Sequence, residues 1–205
     1  MVKKQETKSK RQVIREQRLK RQRLQRLITI LVITGVALII AGFLIIPPLL
    51  RSQAPVGEVV QITPVDRPQE DGVALGDPAA PVLVEVWSDF QCPACRNYSE
   101  GIEPLVISNY VANGKARYVY RHYPFLDDGS LSKESDQAAH ASMCAADQGR
   151  FWDYHDILFA NWNGENIGSF RDKRIIAFAE ALNLDMDQFS ACFNASIPHG
   201  LPSTA

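Results

Sequence analysis

Pro81-Val82-Leu83-Val84-Glu85-Val86-Trp87-Ser88-Asp89-Phe90-Gln91-Cys92-Pro93-Ala94-Cys95-Arg96 holds two opposite local preferences in sixteen residues. Residues 81–87 are β-branched and almost wholly apolar, the composition of a strand. Apolar side chains on both faces predict a central strand of an α/β sheet, covered on both sides. Asp89 ends the run, and from Cys92 the pattern turns helical, with Pro93 suited to a first helical turn. A Cys-x-x-Cys pair is thereby predicted at a strand-to-helix junction.

Working outward, residues 92–113 read as a helix bent at Pro104, with Ile102, Leu105, Val106 and Val111 on its inner side. Asn113-Gly114 ends it, and residues 116–120 form the next strand, giving a βαβ unit. After Asp127-Asp128-Gly129 the period is helical throughout. Helices are predicted over 132–148, 151–162, 171–182 and 186–193. Toward the N-terminus, prolines and glycines spread through 47–80 predict a linker, with a thin signal for a short strand at Val59, Val60 and Ile62. The compact domain is therefore expected over 81–205, beginning near Val73 to Pro81.

The formal charge of -1 conceals two opposite halves. Residues 1–26 carry eleven Lys or Arg and two Glu, and the remaining chain carries eleven basic and twenty-one acidic residues. A nucleic-acid role for the basic head is disfavoured by the apolar segment directly after it. Residues 27–46 contain no charge, and as a helix they would span about 30 Å, the thickness of a bilayer's hydrocarbon. The expected organisation is a basic cytoplasmic segment over 1–26, which can also hold anionic lipid, and a transmembrane helix over 27–46. Everything beyond is exported. A cleaved signal peptide is the alternative, but the run is long and no small-x-small site precedes Pro47-Pro48.

Four cysteines in an exported chain differ in kind. The unpaired N–H groups at the helix start favour a thiolate on Cys92, and Cys95, one turn on, can resolve a mixed disulfide. The expected chemistry is exchange through a protein–S–S–substrate intermediate, without metal or bound cofactor. Half a zinc site and an inert disulfide are the competing readings of this pair. Cys144 and Cys192, far apart in helical segments, are expected to staple the helices, worth about 3–5 kcal/mol in a simple chain-entropy account. Buried thiols and an electron relay are the other readings. Among neighbours, Phe90 is expected to pack behind the active loop, and Glu85 or Asp89 to assist proton transfer, Asp89 having a second reading as turn residue or cap. His122 and His155 lack partners at ligand spacing, so ordinary packing or surface roles are expected of them. Trp87, Trp152 and Trp162 read as core or rim.

The segments 88–96, Arg121-His122-Tyr123-Pro124-Phe125, Ala138-Ala139 with 144–149, 151–159 and Phe189-Ser190-Ala191-Cys192 together resemble the DsbA-like branch of the thioredoxin superfamily. The resemblance implies a thioredoxin-like fold with a helical insertion, Cys92 as exposed nucleophile and Cys95 as resolving thiol. Cys144 and Cys192 match a second cysteine pair of such bacterial relatives. Exported protein thiols or disulfides are the implied substrates, and a membrane enzyme the implied redox partner. Two departures stand out. The buried acidic position of relatives is Val86 here, with Glu85 one residue earlier and so on the opposite strand face. The closing β-hairpin and final helix find no match in residues 197–205, which would leave an apolar sheet edge uncovered. A peptide-binding or chaperone module of the same fold is the alternative function.

Overall fold

The computed structural model describes residues 10–53, 56–129 and 132–195, and the chain forms two separate units divided between Pro55 and Val56. In the first unit a single helix, α1 (Lys10–Gln53), runs well past both ends of the expected span. Its stretch Lys20–Ile46 is long and apolar enough to cross a membrane, and the side chains of that stretch have no burial of their own. Thr29 and Thr34 return their hydroxyls to the carbonyls of Gln25 and Ile30, both at 2.9 Å. The polar groups of the apolar run are thus satisfied within the helix, as a lipid environment requires.

The second unit is an α/β fold with a large helical part. Its strands are β1 (Ala74–Leu75), β2 (Val82–Ser88) and β3 (Ala116–His122), in spatial order β1-β3-β2. β2 and β3 run parallel, from Val82 opposite Ala116 to Ser88 opposite His122, and β1 is antiparallel to β3. The predicted βαβ unit is present, but β3 is the middle strand. Among the described residues β2 lies at the sheet edge, and Leu83 and Trp87 on its outer face are 58% and 53% exposed. The expectation of a strand covered on both faces is therefore corrected. The expectation that the closing elements find no match falls on residues 197–205, which lie outside the described residues.

The connection between β2 and β3 is α2 (Pro93–Gly101), α3 (Glu103–Val106) and a π-type turn over Ile107–Val111. The break falls just before Pro104, which lacks the N–H an unbroken helix would use. It also rotates the segment. Val111 is buried and Val106 partly so, whereas Ile102 and Leu105, expected inside, are 54% and 60% exposed, and Glu103 takes the inward position.

The four later helices are α4 (Glu134–Ala146), α5 (Phe151–Ala160), α6 (Asp172–Ala181) and α7 (Met186–Asn194), each within a few residues of its sequence prediction. Asp185 caps α7, its Oδ1 accepting the amides of Asp187 and Gln188 at 3.0 Å. Trp152, Tyr154, Phe159, Phe170, Phe178 and Phe189 are fully buried and join Tyr118 and Tyr120 of β3 in one core. A disulfide joins Cys144 of α4 to Cys192 of α7, Cα atoms 5.7 Å apart and 48 positions apart in sequence. The staple reading of this pair is the one the fold contains. Replacing both cysteines by alanine is expected to lower stability by about 2–4 kcal/mol, the usual measured range, because packing already holds the two helices. Denaturant midpoints of the oxidised parent and the double variant check this.

The linker expected over 47–80 is the largest revision. Residues 47–53 continue α1, and residues 56–80 belong to the second unit. Val60 exchanges two hydrogen bonds with the Asn161 side chain, at 2.8 and 2.9 Å, so its backbone is matched to a helix end and forms no strand. Arg174 Nη1 donates to the Val56 carbonyl at 2.8 Å, and Val59 and Ile62 pack on the core. Gly76, at φ +89°, could not carry a side chain: a Cβ there would sit 2.6 Å from Val111 Cγ1 and 2.9 Å from the Ala116 carbonyl.

Candidate functional site

Cys92 is the N-cap of α2, with extended backbone, and Pro93 takes the first helical position. The Cys92 amide donates to the Asp89 carbonyl and its own carbonyl accepts from the Arg96 amide, both at 3.0 Å. Cys92 and Cys95 are free thiols, each partly exposed. Burial raises the Cys92 thiol above its ordinary pKa and the adjacent Cys95 side chain pushes the same way, while the nearby backbone N–H groups of Cys95 and Ala94 pull it down. The helix start thus supplies the anion-favouring groups expected of it, but in the dithiol form burial outweighs them.

The loop before Cys92 is clamped by buried side chains. Asp89 Oδ1 accepts the Gln91 amide at 2.8 Å and the Ser135 hydroxyl at 2.7 Å, and Oδ2 accepts the Leu126 amide at 3.0 Å. Burial raises the Asp89 carboxyl, and those same hydrogen bonds partly offset it. Asp89 therefore has the geometry of a turn residue. Gln91 is fully buried; its Nε2 donates to Ser135 Oγ at 2.8 Å, its Oε1 accepts the Asn166 amide at 2.6 Å, and its carbonyl accepts Trp162 Nε1 at 2.7 Å. Phe90 stacks on Tyr120 at 5.4 Å and contacts Phe159 at 5.1 Å, as the packing reading expects. Arg96 lies over the Trp162 ring at 5.5 Å. Pro93, Phe90 and Asp89 are thus gathered around the cysteines. Glu85 is not: it is half exposed on the open sheet face and bound by Arg121 Nη2 at 2.7 Å.

A buried polar cluster escaped the sequence reading. Arg67 reaches both Asp156 oxygens, at 2.6 and 2.8 Å, and Glu103 Oε1 at 3.1 Å, over the face of Trp152. Glu103, 2% exposed, also accepts the Tyr118 hydroxyl at 3.1 Å, and His155 Nδ1 meets Asp156 Oδ1 at 2.8 Å. Burial alone would raise the Asp156 carboxyl, but His155 and Arg67 together hold it below the usual range. His155, expected as a packing or surface residue, is wholly buried and carries this polar role as well. An acidic residue opening a helix turn beside Pro104 was the one local hint of Glu103.

His122 closes β3 with Nδ1 buried and without a hydrogen bond, its ring 5.9 Å from those of Phe90 and Phe151. Burial, with a smaller push from His155, lowers it to about 3. Its unfolded pKa is about 6.5, so the folded chain keeps it neutral while the unfolded chain takes up a proton as pH falls. Stability is expected to be complete above pH 6.5 and to decline from there toward pH 3, by up to about 1.4 kcal/mol per pH unit from this residue. Urea unfolding at pH 7 and pH 5 checks this, with His122→Asn expected to show the smaller difference.

A Cys-x-x-Cys at the mouth of a helix, following a parallel strand and backed by an inserted helical layer, defines a thioredoxin-type protein of the DsbA-like kind. Residues 68–199 match the family model described as thioredoxin, and the chain belongs to that family. The α-DsbA1 structure from Wolbachia pipientis is 26% identical, covers 63% of each chain and superposes with a TM-score of 0.50. A probable disulfide bond formation protein D from Bacillus cereus is 32% identical over 90 residues, 43% of this chain and 39% of that protein. A Na(+)/H(+) antiporter NhaA 1 from Salinispora arenicola is 36% identical over 148 residues, 70% of this chain. The chain spans only 21% of that antiporter's length.

Proposed function

We propose that this protein is a membrane-anchored thiol–disulfide oxidoreductase that introduces disulfides into exported proteins through Cys92 and Cys95. The observation that carries the reading is the pair of partly exposed thiols at the start of α2, with Cys92 as its N-cap and Pro93 in the first helical position. Starting from the oxidised pair, a substrate thiolate attacks the Cys92 sulfur, and Cys95 leaves as a thiolate and takes up a proton. A second substrate thiolate then attacks the substrate sulfur of the mixed disulfide and releases Cys92. The substrate gains a disulfide and the protein holds two thiols, which a membrane redox partner reoxidises. Substrate thiols or disulfides of exported proteins are the partners this chemistry requires. Residues 1–26 would lie in the cytoplasm, 27–46 in the bilayer, and the unit beginning at Val56 outside.

The full chain in detergent micelles, oxidised and mixed with a reduced peptide carrying two cysteines, tests the proposal. Acid quenching, alkylation and mass measurement should find one peptide disulfide formed for each Cys92–Cys95 pair reduced. Peptide that binds without any thiol transfer would sink the reading in favour of a peptide-holding module. That second reading has its own support in the open apolar face of Leu83, Trp87 and the 55% exposed Tyr123.

A further inference from the structure

His140, Cys144 and Asp147 stand at i, i+4 and i+7 along α4 and its C-cap, so one helical face presents all three. Cys192 of α7 closes against that face. His140 Nε2 is 3.9 Å from Cys144 Sγ, and Asp147 Oδ2 is 3.8 Å from Cys192 Sγ. The ligating atoms of His140, Cys144 and Cys192 all lie within 4.8 Å of one another. Tetrahedral zinc, with bonds of about 2.0–2.3 Å, sets its ligand atoms about 3.3–3.8 Å apart. The imidazole already stands near that spacing from Cys144, while the Asp147 carboxylate does so only from Cys192, lies outside the cluster of three, and reaches the site by rotation of its exposed side chain. Only the two sulfurs are too close, being bonded to each other, and a separation of under about 2 Å would correct it.

We propose that the reduced Cys144/Cys192 pair forms a zinc-type metal site with His140 Nε2 and the Asp147 carboxylate, so that a metal replaces the disulfide as the link between α4 and α7. Two thiolates with one imidazole and one carboxylate are a donor set suited to zinc. A dithiol reductant supplies two electrons and two protons, cleaving the S–S bond and leaving as its own disulfide. The cation then displaces both thiol protons. The His140 Nε2 hydrogen bond to the Cys192 carbonyl, 3.1 Å in the disulfide form, is given up, and the imidazole proton resides on Nδ1. His140 and Cys144 are buried while Asp147 is exposed, which leaves the carboxylate side as the route of entry.

Cobalt(II) is the probe. The full chain carrying Cys92→Ser and Cys95→Ser, which removes the other thiol pair, is reduced with a phosphine and titrated without oxygen. One equivalent should bind with thiolate-to-cobalt charge-transfer absorption and tetrahedral ligand-field bands, and the oxidised form should show neither. His140→Ala in that background should weaken binding by about tenfold or more, judged by what even outer-shell partners of a metal site contribute. Asp147→Asn, an exposed change that leaves the core intact, should also weaken it. Helical circular dichroism is followed in parallel. If reduction unfolds the chain, recovery of helicity on adding cobalt supports the site and failure to recover overturns it. Absence of the bands, or bands insensitive to both substitutions, likewise overturns it.

Discussion

Cys92→Ser is expected to reduce thiol–disulfide exchange to the uncatalysed background, whereas Cys95→Ser should accumulate mixed disulfides with substrate proteins. The two thiols are three residues apart but differ in place. Cys92 is the helix N-cap, and the N–H groups of Ala94 and Cys95 stabilise negative charge on its sulfur when it attacks or is released. Serine there offers no disulfide-forming atom. Cys95 lies one turn into α2 and packs against the core, so its part is the intramolecular resolving step. Without it a mixed disulfide at Cys92 persists until another thiol arrives. Non-reducing gels with thiol-specific labelling measure both outcomes. Trapped adducts from Cys92→Ser, with none from Cys95→Ser, would reverse the two roles.

Arg67→Met is expected to cost about 3–5 kcal/mol, the penalty for breaking a buried ion pair by removing one partner. Glu103 is 2% exposed and Asp156 is 23% exposed, and methionine would leave both without their guanidinium. The Tyr118 hydroxyl and His155 would remain as their polar neighbours. Glu85→Gln, which breaks the half-exposed pair with Arg121, is the comparison and should cost less than about 1 kcal/mol. Urea unfolding at pH 7 separates the cases. A loss within about 0.5 kcal/mol at Arg67, the usual range for a surface substitution, would mean that residues 56–80 behave as a solvated linker after all.

Local pattern determined much of this protein. The β-branched, almost wholly apolar run of residues 81–87, the turn at Asp89, and the Pro93 helix start place Cys92 and Cys95 where the structure has them. The four later helices follow from their 3.6-residue period, and the uncharged run of 27–46 marks α1 as long enough to span a bilayer. These features are written in residues a few positions apart, the range over which a backbone's preference is decided. Only the tertiary structure decided that β2 is an edge strand, that Glu103 turns inward where Ile102 and Leu105 turn out, and that residues 56–80 belong to the compact unit. Arg67 finds Asp156 across 89 positions, Val60 finds Asn161 across 101, and Gln91 finds Ser135 across 44. A proline-rich segment looks like a tether in sequence because its backbone has no repeating pattern. It is ordered here because its unpaired donors and one buried cation meet partners that folding brings from distant helices.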